Sequence, residues 1–334
     1  MGRMKQLACI VAVFPLVGGA CGTGRLSSGH TATQSGSAQV DSVIFATAAA
    51  AVAKAPDIDR IWPGFWNPPS FALYRRDTSV FLYTVGAPVA GFQVVRHSRV
   101  PPVLRGHLYR HEGSWPGLRG GVLPIDPEAE RLAMAVSIGV RPGSQLEFLL
   151  HESFHGWQFR QFQYSPDPNV PQSLPDSIRL PQDLQARLDA ERSLLILILR
   201  AETIEEMRKR VREYLDTRRV RFATSNPLVQ RIEQTQEWRE GTAEYVGLAG
   251  ALAVDDSPRS VVRASFEARV SNDARWGNRN ASPKLQLRDR AYVSGSVMAF
   301  ALNELQCHLW RESISAGEFL DSELARCVRP LSAG

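Results

Sequence analysis

His151 and His155 stand four positions apart in the run His151-Glu152-Ser153-Phe154-His155, with a carboxylate directly after the first of them. On an α-helix four residues advance about 400°, so the two imidazoles lie one above the other and can share a metal ion. A zinc ion held by two imidazoles and a third ligand keeps a fourth position for water. Glu152, one step round the helix, is then placed to take that water's proton. The spacing thus points to hydrolysis by an activated water. In a strand the same two histidines would stand about 13 Å apart and could not share an ion, so the helix is a condition of the chemistry.

The surrounding residues predict that helix. Leu146, Phe148, Leu149, Phe154 and Phe159 supply apolar flanks, Ser144 after Gly143 offers an N-cap, and nothing interrupts the pattern before Pro166. The reading is a buried helix with Glu147 and Arg160 on its wetter side. A second predicted helix, from Gln236 to Val246, carries Glu240 and Glu244 on one face, and either could be the third ligand.

An H-E-x-x-H followed downstream by Glu240-Gly241-Thr242-Ala243-Glu244-Tyr245 resembles the gluzincin metallopeptidases, in their aminopeptidase-like form. The resemblance implies a zincin-like fold, a zinc cofactor, His151, His155 and Glu240 as metal ligands, Glu152 as the general base, and Glu244 as a carboxylate that orients a ligand histidine. The string from His151 to Gln158 is similar to the H-E-x-F-H-x-W-N of glycyl aminopeptidases. Tyr292-Val293-Ser294-Gly295 is similar to the Y-x-K-G of membrane-type aminopeptidases, with serine for lysine, which implies that Tyr292 stabilises an oxyanion at the start of a core helix. His308 falls in the same predicted helix. The long interval between His155 and Glu240 departs from the aminopeptidase pattern, and no G-x-M-x-N signature lies upstream, so no preference for peptide ends is implied.

At the start of the chain, Arg3 and Lys5 precede a short apolar run through Val17 and the small residues Gly18-Gly19-Ala20. This is the composition of an export signal over residues 1–20, too short in its apolar part to span a bilayer. Small residues before Cys21 resemble a bacterial lipobox, implying a lipid anchor to a membrane through Cys21; the alternative is ordinary cleavage after Ala20, giving a periplasmic or secreted product. Residues 21–39 have the composition of a flexible tether.

Residues 40–142 are expected to form a helix and a twisted β-sheet, with strands at Ser70–Arg75, Ser79–Val85, Gly91–Val95, Leu104–His111 and Leu132–Ile138. By the resemblance, the last of these is an edge strand that binds extended peptide by strand addition; read from its residues alone it is equally an ordinary core strand. Residues 143–334 are expected to form a helical metal-binding half with an insertion at 165–235. Within it the charged run from Glu202 to Arg221 reads as a solvated helix face. His107 and His111 fall in a strand pattern, so they are assigned no metal.

The formal charge of +5 is too small to require a polyanionic partner, and the basic runs lack interleaved aromatics, which excludes a nucleic-acid surface. With Cys9 in the signal and Cys21 at the anchor, Cys307 and Cys327 are expected to pair. The sequence therefore describes an α+β, zincin-like, exported protein with a twisted sheet preceding a mainly helical half. The expected activity is zinc-dependent hydrolysis of peptide bonds in a peptide or protein substrate of the bacterial envelope. Two alternatives stand beside it: hydrolysis of another amide such as cell-wall material, and a degenerate zincin that only binds envelope partners.

Overall fold

The computed structural model describes residues 33–67, 69–75, 78–86, 89–115, 122–126, 131–138, 145–162, 170–171, 174–175, 177–272 and 283–329. The signal, Cys21, most of the tether, the Gly143-Ser144 turn and much of the Pro166–Pro181 loop lie outside these residues. The chain is α+β, and it divides into two units, one of Met1–Pro56 with Trp66–Ser153, the other of Asp57–Phe65 with Phe154–Gly334.

The first unit is built on a six-stranded mixed sheet in the order β3-β4-β2-β1-β6-β5. Its strands are β1 (Phe71–Arg75), β2 (Ser79–Tyr83), β3 (Gln93–Val94), β4 (Leu108–Glu112), β5 (Val122–Asp126) and β6 (Arg131–Ser137). A tight hairpin pairs Arg75 with Ser79 and Phe71 with Tyr83, and β6 then returns parallel to β1, with Phe71 opposite Met134. One face buries Ala72, Val80, Leu82, Tyr109, Leu123, Ala133 and Ala135 under Phe92 and Trp115. The other is covered by α1 (Thr33–Ala53), whose Phe45 meets Phe81 edge-on at 6.0 Å; the short α2 (Ala55–Asp59) follows it in the chain. Because β2 is covered on both faces it reads as the continuous apolar run Val80-Phe81-Leu82-Tyr83.

Three expectations change here. Strand β6 is interior, flanked by β1 and by β5, so Leu132–Met134 is not an open edge for strand addition. The fourth strand starts at Leu108, because Pro102–Leu104 forms a 3-10 turn and Gly106 takes φ +81°. Helix α1 begins at Thr33, so the 33–39 end of the predicted tether is helical. Elongating an existing helix adds a hydrogen bond for each residue fixed, and that outweighs a polar composition.

The second unit is helical. Its main elements are α4 (Leu184–Arg200), α5 (Ile204–Ala223), α6 (Pro227–Gln236), a π turn (Glu237–Gly241), α7 (Thr242–Val254), α8 (Arg259–Ser271) and α9 (Pro283–Glu304), followed by α10 (Trp310–Ser315) and α11 (Leu320–Cys327). Asn226 caps α6 by accepting from Leu228 N at 2.9 Å, with Pro227 in the first turn. The expected disulfide is present: Cys307 in the turn after α9 joins Cys327 at the end of α11, Cα to Cα 5.6 Å. That turn also holds His308, which is exposed and lies beyond the end of α9.

Helix α5 departs from its reading as a solvated face. Arg208 and Glu205 do lie outside, but Arg218 and Arg221 are buried among Glu191, Glu233, Glu237 and Arg290. Arg218 reaches Glu233 at 2.8 Å and also binds Glu237; Arg221 reaches Glu233 at 2.7 Å and binds Glu191; Arg290 reaches Glu191 at 2.9 Å and binds Glu233. Asp321 on α11 completes the cluster at 3.2 Å from Arg218. Such a group is stable only where every charge finds its partners.

Candidate metal centre

Helix α3 (Gln145–Gln161) carries His151, Glu152 and His155 as the spacing predicted. Its buried side includes Leu149, Leu150, Phe154 and Gln158, while Phe148 and Phe159 are exposed, contrary to their reading as buried flanks. Positions 148, 152, 155 and 159 form one stripe on a 3.6-residue helix, so the open side of α3 is the side of Glu152 and His155. From Phe154 onward the helix is locked by an aromatic cluster. Trp62 meets Phe154 at 5.0 Å, Phe154 stacks on Trp157 at 5.4 Å, and Phe162 meets Trp238 at 4.8 Å. Trp157 also donates to the carbonyl of Gly64 at 3.1 Å.

Glu240 sits in the π turn that joins α6 to α7. A π turn holds one residue more than an α-turn and is frequent where a side chain must be aimed. Trp238 anchors it by donating to Ile314 O at 2.8 Å. Glu240 is 5% exposed, and its Oε2 lies 3.1 Å from His155 Nε2. Its other oxygen, Oε1, accepts from Arg239 Nε at 3.0 Å, which leaves Oε2 as the atom facing the histidine. With His151, 7% exposed, the ligand atoms of His151, His155 and Glu240 all lie within 4.8 Å of one another. Among the described residues this group could hold a metal ion, and its donor set of two imidazoles and one carboxylate is the one zinc takes in open tetrahedral sites. Bond lengths of about 2 Å put neighbouring tetrahedral ligands a little over 3 Å apart, which the His155–Glu240 separation matches.

Gln158, one turn after His155, was not singled out in the sequence. Its Oε1 lies 2.8 Å from His155 Nδ1, and its Nε2 lies 2.9 Å from Arg239 O and 2.7 Å from Thr242 Oγ1. Asking what would accept a proton from Nδ1 of the second histidine would have found it.

Tyr292 reaches the same carboxylate. It lies inside α9, not at its start, and its hydroxyl is hydrogen-bonded to Glu240 and to Arg288. Burial, followed by the Glu240 charge, raises its pKa, so the hydroxyl stays neutral. Glu244 is buried on α7 and ion-paired with Arg269 of α8. Tyr245 packs against Phe266 and Trp310 and bonds Arg311, with burial pushing it up to about 12, so its place is in the core.

His111 stands in β4 with Nδ1 at 2.9 Å from Gly91 O and its ring against Trp115. A cleft of about 610 Å³ in the first unit is lined by Asp41, Phe81, His97, Arg110 and His111 among others, and by none of the candidate ligands. Compared with family models, with curated proteins and with solved structures, the chain gives no match.

Proposed function

We propose that the protein is a zinc-dependent hydrolase of peptide bonds, with His151, His155 and Glu240 holding the metal, and that it works in a bacterial envelope, exported and anchored through Cys21. The observation that carries the reading is that two imidazole nitrogens from α3 and one carboxylate oxygen from the π turn lie within 4.8 Å of one another. Among the described residues no helix is long and apolar enough to cross a membrane; the attachment proposed is a lipid on Cys21, which cleavage after Ala20 would leave at the N-terminus. The zincin-like fold belongs to the same proposal.

Zinc bound there supplies Lewis acidity toward a carbonyl oxygen and lowers the pKa of adjacent water. Glu152, half-buried on the open side of α3, accepts the proton of the attacking water and passes it to the departing amine. Tyr292, a neutral donor beside Glu240, turns its hydroxyl to the oxygen that gains charge as water adds. Glu244, ion-paired with Arg269, is the carboxylate that orients a ligand histidine.

The test combines metal analysis with a peptide-library digest of the mature protein. Wild type is expected to carry one zinc and to cleave peptides. Glu152→Gln should keep the zinc and lose cleavage, while His151→Ala and Glu240→Ala should lose the zinc. Cleavage undiminished in Glu152→Gln would overturn the mechanism.

A further inference from the structure

We infer that Gln158 is a positioning residue for the metal centre: it fixes which nitrogen of His155 carries the proton. Arg239 O can only accept, so the Gln158 atom 2.9 Å from it must be the amide NH2. Thr242 Oγ1 lies 2.7 Å from Trp238 O, a carbonyl one helical turn back, and spends its own hydrogen there. The hydroxyl is then an acceptor toward the second N–H of Gln158. Both amide hydrogens being committed, the end facing His155 is the carbonyl Oε1, which accepts from Nδ1–H at 2.8 Å. Nε2 is thereby left with its lone pair, and it is Nε2 that faces Glu240 Oε2.

An imidazole nitrogen and a carboxylate oxygen 3.1 Å apart share either a proton or a metal ion. The chain Trp238 O, Thr242 hydroxyl, Gln158 amide, His155 ring therefore runs from the backbone of the π turn to the ligand nitrogen and sets it before any metal arrives. Gln158 and Thr242 are buried, so water does not compete for these bonds. The role of α3 extends past the histidine pair: the helix brings both a ligand and, three residues on, the group that orients it.

This inference rests on the metal-site reading, yet it can fail separately. Long-range 1H–15N correlation spectra of the full chain without metal report the tautomer of His155, and zinc titration reports affinity. Wild type is expected to show His155 protonated on Nδ1. Gln158→Leu, of similar size without the amide, should lose that preference and bind zinc about 10- to 100-fold more weakly, the usual effect of removing a residue that orients a ligand. Should Gln158→Leu not fold, Thr242→Val carries the same test, since it frees one amide hydrogen and should weaken zinc binding less, and Thr242→Ser, which restores the hydroxyl, should recover it. A His155 tautomer and a zinc affinity both unchanged in Gln158→Leu, or in Thr242→Val where that is the variant that folds, would overturn the assignment and leave Gln158 a packing residue. If wild type binds no zinc while the tautomer still changes in the variant, the metal reading falls and the positioning of His155 stands.

Discussion

Gly241 and Gly295 meet backbone to backbone. A Cβ added at Gly295 would lie 2.7 Å from Gly241 Cα and 2.8 Å from Glu237 O, and one added at Gly241 would lie 2.5 Å from Gly295 Cα. The missing side chains allow α9 to touch the π turn, and this contact sets Tyr292, three residues before Gly295, against Glu240, one residue before Gly241. Gly295→Ala should push the two elements apart, at about 1–3 kcal/mol or more for the overpacking. Zinc affinity should fall with it. Urea denaturation and zinc titration of the variant check this, and wild-type values for both would show that the crossing relaxes at no cost.

Tyr292→Phe keeps the ring and removes the hydroxyl that bonds Glu240 and Arg288. Turnover is expected to drop on the order of a hundredfold, the loss typical of one oxyanion donor, with zinc content unchanged. Steady-state kinetics beside metal analysis separates this from a role in holding Glu240, which would lower zinc content as well.

Arg221→Met should be far more costly than its charge would suggest on a surface. It leaves Glu191 and Glu233 short of a partner at 0% and 1% side-chain exposure, a situation that costs about 3–5 kcal/mol. Arg208→Met, which breaks an exposed pair with Glu205 on the same helix, should cost about 0–1 kcal/mol. Denaturation midpoints of the two variants measured together decide the point; equal losses would mean the cluster is not the support it looks to be.

Burial pushes the Glu237 carboxyl up to about 7, against the lowering effect of Arg218. Its folded value stands above the unfolded one, so the folded chain binds that proton more tightly, and stability declines as pH rises from the ordinary glutamate range to about 7. Glu233 shifts the opposite way. Burial raises it, but Arg221, Arg290 and Arg218 together outweigh burial and hold it low, so its share is lost only as pH falls below the ordinary range. Glu237→Gln mimics the protonated acid. Its stability should equal wild type near pH 5 and exceed it at pH 8, as read from denaturation curves at both pH values.

The ligand pair was legible because one helix carries it: a spacing of four is enough to place His151 beside His155. Glu240 was reached through resemblance at the Glu240-Gly241 string, since nothing local ties a residue so far along the chain to α3. Strands β1 and β2 showed in their apolar runs, whereas β5, with Pro124 in a five-residue strand, gave no pattern to read. The edge position of the last strand was carried over from the resemblance, and strand order is a nonlocal property that the sequence of Leu132–Ile138 does not itself disclose. Arg218 and Arg221 were misread for a similar reason. A helix dense in arginine and glutamate has the same composition whether its charges face water or face Glu191 and Glu233 on other helices.

The π turn can finally be considered as a matter of phase. Glu233 and Glu237 repeat at four residues and face the buried arginines; Glu240 and Glu244 repeat at four residues and are the candidate ligand and its neighbour. One extra residue in the joint separates the two series. Were the turn to tighten to α-helical geometry with all its residues kept, α6 and α7 would run on as one regular helix and everything beyond the joint would turn by about 100°. Glu240 would leave His155 although no ligand had been substituted. The Glu237–Gly241 turn thus sets a phase: relaxing it from π to α geometry would keep every side chain beyond the joint and make each one face the wrong way.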